Sequence, residues 1–186
     1  MRFGADGSTK SSVNRDLRYP VGPEPAFDPI AAATRAKHIE VIAQLPASIG
    51  SAVSGLSDAQ LDTPYRPGGW TVRQVVHHLA DSHMHAFMRL KWALTEDAPT
   101  IKPYNEAPWA ELADSALGIE ASLGILDGIH ARWVALYRVM DDALFARAFL
   151  HPERGRQTLD HHLHTYAWHS RHHVAHVTEL RRREGW

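Results

Sequence analysis

Seven of the 14 histidines in this chain fall between His161 and His176, inside a stretch whose apolar residues return at helical spacing. That crowding limits the fold more than any other feature. A neutral imidazole has one donor and one acceptor nitrogen, and both need partners once the helix face that carries them is buried. A fold that buries this helix must therefore bring polar groups, or an ion, onto it. At about 100° per residue, Leu159, Tyr166, Val177 and Leu180 cluster within about 60° and mark the buried stripe. His173 lies inside that cluster and His169 at its edge, whereas His172 points roughly 100° away from His173, off the stripe. Histidines four residues apart on a helix are separated by about 6 Å along its axis, so one ion can satisfy both. His169 and His173 are the candidate pair.

A second cluster comprises His77, His78, His83 and His85. Val72, Leu79, Ala86 and Leu90 mark the apolar stripe of its helix, with His83 near the centre, His78 and His85 toward one flank, and His77 turned to solvent. Angles alone rank His83 at least level with His78 as a third ligand. His83 has a second reading, a core histidine satisfied by a carboxylate or carbonyl. Asp81 is a candidate for orienting an imidazole, beside the plainer reading of a helix-surface carboxylate.

The 186 residues include no cysteine, which removes disulfides, thiolate zinc sites, iron–sulfur clusters and thiol nucleophiles. A metal here must sit on nitrogen and oxygen, and imidazole suits zinc and nickel. A formal charge of -1 provides no positive field for a phosphate backbone, so nucleic acid is not an expected partner. No apolar run reaches the roughly 18 to 20 residues of a membrane span, and Met1 to Ser12 has no signal-type stretch. The cytoplasm is the expected compartment.

Residues 1–18 are expected to form a mobile tail and residues 19–186 a single domain. Arg18 to Pro29, with four prolines, should run extended. Ile30 to Val53 has a helical stripe that Pro46 should kink or restart. A capping box of Thr71 and Gln74 opens a helix to about Thr95, a long connection from Pro99 to Asp114 suggests a crossover, and a third helix fits Ser115 to Met140. Asp141 should cap a short helix ending near Phe149, followed by a polar turn from His151 to Gln157. The last helix should run from Thr158 to Arg183, its basic end, Arg181 to Arg183, being read as solvated. No strand pair shows clear alternation. Four long helices with short pieces between them make an all-α four-helix bundle. Trp70, Tyr104 and Trp168 read as core or loop anchors ahead of pocket walls.

The string LDTPYRPGGWTVRQVVHHLADSHM from Leu61 to Met84, then Leu94 to Asp97 and Ile101 to Tyr104, resembles the YfiT branch of the DinB superfamily. The ending YAWHSRHHVAH from Tyr166 to His176, with the terminal Gly185 and Trp186, is similar to the same branch. The likeness runs from about Tyr19 to Trp186. It implies an up-down-down-up four-helix bundle with short connecting helices, usually a homodimer, holding one zinc or nickel ion on three histidines. The superfamily's first ligand position falls on His78, which separates it from His83, and the His-x-x-x-His pair falls on His169 and His173. Many relatives continue with Arg-Gly-Gln where this chain has Val174, Ala175 and His176, so His176 is a candidate extra ligand or supporting group. The implied function is metal-dependent catalysis on a small molecule, as a hydrolase or as a transferase of low-molecular-weight thiols such as bacillithiol. A non-catalytic metal-binding stress or storage protein is the alternative. No serine, lysine or carboxylate is placed to act as general base, so water on the ion is the expected nucleophile.

Overall fold

Residues 16–186 are described by a computed structural model, so the expected tail lies, but for its last residues, outside the described residues. Four long helices carry the architecture: α1 (Ala32–Val53), α3 (Val72–Thr95), α5 (Glu120–Arg138) and α7 (Leu159–Glu184). Short helices α2 (Asp58–Leu61), α4 (Glu106–Trp109) and α6 (Asp142–Phe145) lie between them. Local chemistry fixes their ends. The Gln74 N–H donates to Thr71 Oγ1 at 3.1 Å and the Thr71 N–H donates to Gln74 Oε1 at 3.0 Å, closing the expected capping box. Thr158 caps α7, which stops at Gly185 in a left-handed conformation with φ 74°.

Contacts between the helices set their directions. Arg35 near the start of α1 pairs with Asp160 at the start of α7 at 2.8 Å, and Arg181 near the end of α7 donates to the Ala52 carbonyl at the end of α1. These helices are parallel. So are α3 and α5, where His77 meets Ser122 and His83 meets His130 in the same chain order. Helix α7 runs against α3, since Tyr166 and His169 approach Ser82 and His78 respectively. The order is up-down-down-up. Helices α1 and α3 each face both α5 and α7. Parallel neighbours need a link that returns the length of the bundle, and residues 96–119 provide it through α4 and a 3₁₀ turn at Ala113–Ala116.

The structure differs from the sequence reading at several points. Helix α1 continues unbroken through Pro46. The third long helix begins at Glu120, because Ser115 lies in the 3₁₀ turn. Beyond α6 comes an antiparallel hairpin, β1 (Ala148–His151) with β2 (Gly155–Thr158), in place of helix and polar turn. Strands this short show no readable alternation. Their conformation comes from tertiary pairing, as the Ile101 N–H of the crossover donates to the Leu150 carbonyl at 3.0 Å. The terminal arginines are also engaged: Arg181 reaches Ala52 and Ser54 carbonyls, and Arg183 the Tyr65 carbonyl.

Two apolar clusters fill the core. Leu45, Ile49, Val76, Leu79, Val177 and Leu180 belong to one, and Ile42, Leu90, Trp133, Tyr137, Leu159 and Tyr166 to the other. A layer of imidazoles lies between them along α3 and α7.

Candidate metal centre

Antiparallel contact between α3 and α7 brings His78 against His169 and His173. One ring nitrogen of each lies within 4.8 Å of those of the other two. His78 Nε2 is 3.3 Å from His169 Nε2, and the His173 ring centroid is 4.8 Å from that of His78 and 4.4 Å from that of His169. His78 and His173 are buried and His169 is half-buried. Burial pushes the His78 imidazole down to about 4 and holds His169 and His173 well below the ordinary value, neighbouring imidazoles adding to the effect. All three are neutral near pH 7, so each offers a lone pair. A cluster of neutral nitrogen donors with no thiolate fits a divalent transition metal.

Further histidines hold the rings in place. His83, fully buried, lies with Nε2 3.1 Å from His169 Nδ1 and with Nδ1 2.9 Å from His130 Nε2. Its partners are imidazoles, where the core-histidine reading of His83 expected a carboxylate or carbonyl. His176 Nδ1 is 3.4 Å from His173 Nδ1, and its Nε2 donates to the Arg18 carbonyl at 3.2 Å. His172, His173 and His176 also form a trio with ring nitrogens within 4.8 Å. Both nitrogens of His176 face protein partners, so this second trio offers fewer free lone pairs than the first. The carboxylate of Asp81 makes no hydrogen bond to an imidazole among the described residues. Burial raises its carboxyl above the usual range.

A cavity of about 360 Å³ opens over the first trio. His78, His169 and His173 line it together with Trp70, Tyr104 and Trp168. All three aromatic residues that the sequence favoured as core or loop anchors thus face the cavity. Trp70 packs on His78 with ring centroids 4.6 Å apart. Tyr104 stacks on His85 at 4.4 Å and ties the crossover to α3.

Two histidines expected to face outward are buried. His77 is covered by α5, its Nδ1 2.8 Å from Ser122 Oγ and its Nε2–H donating to the Leu117 carbonyl at 3.2 Å. His172 faces Tyr19 of the segment before α1, with ring centroids 6.0 Å apart, and stacks on Trp168 of its own helix at 4.4 Å. Helical angles around one stripe could not register this second layer. His130 escaped the sequence reading entirely, although its spacing from Leu126 and Trp133 places it on the buried face of α5.

Comparison with known proteins agrees with this architecture. Residues 42–177 match the family model of the DinB superfamily. The chain is 49% identical over 178 residues to YfiT of Bacillus subtilis, covering 95% of this chain and 99% of that one. A Bacillus mycoides protein is 49% identical over 172 residues, covering 92% and 99% respectively, and has the same provisional naming as a metal-dependent hydrolase. The solved structure of Bacillus subtilis YfiT, described as a probable metal-dependent hydrolase with an unusual four-helix bundle topology, superposes with a TM-score of 0.88 at 49% identity. It covers 91% of this chain, which spans 98% of that one.

Proposed function

Because this chain belongs to the DinB superfamily, we propose that it is a metal-dependent hydrolase of a small molecule, with one zinc or nickel ion held by His78, His169 and His173. The observation that carries this reading is the convergence of three neutral imidazoles on one side of an open cavity. A site with three protein ligands keeps a coordination position for a guest, whereas a storage site has no use for a cavity above it. When bound, such an ion supplies Lewis acidity, which lowers the pKa of water toward about 7 or stabilises a thiol as thiolate.

The chain's own residues hold and shield this position. His83 and His176 engage the Nδ1 atoms of His169 and His173, which directs the remaining nitrogens at His78. Trp70 excludes water from one side of His78, and Trp168 with Tyr104 walls the cavity for an apolar or flat portion of a substrate. Hydrolysis is preferred over thiol transfer because the relatives are named for it.

Protein purified without nickel resin should contain one divalent ion per chain by elemental analysis. Loaded protein should then turn over members of an ester and amide panel, and His173→Ala should abolish that turnover while helical circular dichroism is retained. Consumption of a low-molecular-weight thiol with no hydrolysis would move the assignment to thiol transfer. Full loading with no turnover in either assay would favour storage.

A further inference from the structure

Pro46 lies inside α1 and has no N–H. A helical carbonyl accepts from the N–H four residues later, so the Ile42 carbonyl has no donor within its own helix. His130 Nδ1 lies 2.6 Å from it instead. His130 Nε2 is 2.9 Å from His83 Nδ1, and His83 Nε2 is 3.1 Å from His169 Nδ1. Each long helix contributes one member of this series: α1 Ile42, α5 His130, α3 His83 and α7 His169.

One hydrogen-bond direction satisfies every link. A carbonyl oxygen only accepts, so His130 Nδ1 must carry a proton. Two ring nitrogens that face each other at hydrogen-bond distance need one donor and one acceptor, and an imidazole that accepts on one nitrogen has its single N–H on the other. His130 Nε2 therefore accepts from the His83 Nδ1–H. His83 Nε2 in turn accepts from the His169 Nδ1–H. What remains is a lone pair on His169 Nε2, the atom 3.3 Å from His78 Nε2.

We propose that the Ile42 carbonyl, released by Pro46, sets the tautomers of His130, His83 and His169 in series, so that His169 presents an unprotonated Nε2 toward His78 and His173. His130 and His83 are positioning residues. The tautomers stand on hydrogen bonding alone; their use in binding an ion rests on the metal reading above.

Long-range nitrogen–proton spectra of histidine-labelled full-length protein, stripped of metal with a chelator and held near neutral pH, read the tautomers directly. All three rings should carry the proton on Nδ1. An Nε2–H at His83 or His169 overturns the proposal even if zinc binds. The expected pattern in a protein that binds no zinc would sustain the series and remove the metal reading instead. Zinc competition against a chromogenic chelator gives a second readout. His130→Leu should weaken zinc about 10- to 100-fold, the usual effect of losing a group that orients a ligand. His130→Gln, whose amide can donate to Ile42 and accept from His83, should bind close to the parent. Equal affinities in both variants would overturn the proposal, and a poorly folded His130→Leu leaves the spectra of the unaltered protein decisive.

Discussion

An imidazole taken from water into this core gives up its proton, and the stability of the protein inherits that preference. His130 is pushed down to about 4 and His162 to about 3, in both cases chiefly by burial. In the unfolded chain each titrates near 6.5. Between those limits the unfolded state binds more protons, so stability is fully present above about 6.5 and is lost as pH falls toward 4. The thermal midpoint should be flat above pH 7 and decline through that window; a midpoint unchanged down to pH 4.5 would contradict it. His78, held at about 4, moves the expected release of metal below the range of an exposed histidine. Metal content measured across pH should fall toward 4 and hold at 6. Exposed histidine ligands would show loss beginning near 6.5.

Among the connecting elements, the turn before α3 depends on Arg73. Its side chain is 9% exposed and donates to Asp62 at 2.6 Å, Asp58 at 2.9 Å and the Leu117 carbonyl at 3.1 Å. The Asp58 side chain is 90% exposed, so it retains water when the arginine goes. Arg73→Ala should therefore destabilise by about 2 kcal/mol through lost packing and charge-assisted bonds, short of the cost of stranding a buried charge. Asp58→Asn should cost under about 0.5 kcal/mol, since Asp62 still holds the guanidinium. Denaturant midpoints of the two variants separate these effects. Elements of this kind also define what the sequence could convey. Caps at Thr71 and Asp141 are local and were readable, as were the start of α7 near Thr158 and the stripe that points His169 and His173 inward. The hairpin was not, because its four-residue strands depend on Thr100 and Ile101 far away in the chain. Periodicity likewise could not choose between His78 and His83. That choice depends on which nitrogen faces α7, a matter of rotamer and of packing between helices.

At the scale of the whole molecule, the parallel pairing of α3 with α5 forces residues 96–119 along the bundle, and this same strap forms part of the cavity wall. Trp109 fastens it, lying 4.7 Å from Tyr104 and 5.2 Å from His85 between ring centroids. Trp109→Ala should raise amide hydrogen exchange across residues 100–112 while leaving the four long helices protected. Exchange spreading into α3 would mean that the strap also supports the bundle. The segment before α1 has a consequence of another kind. It travels back along α7, with His164 donating to the Pro25 carbonyl, Trp168 to Gly22 and His176 to Arg18, so that Asp16 arrives in a hollow shared with Arg182 and Arg183. Head and foot of the described polypeptide therefore emerge side by side at one pole. A short bridge could join them and fresh ends could be cut at exposed Leu112, giving a rearranged gene whose product keeps every rod and every imidazole where it was.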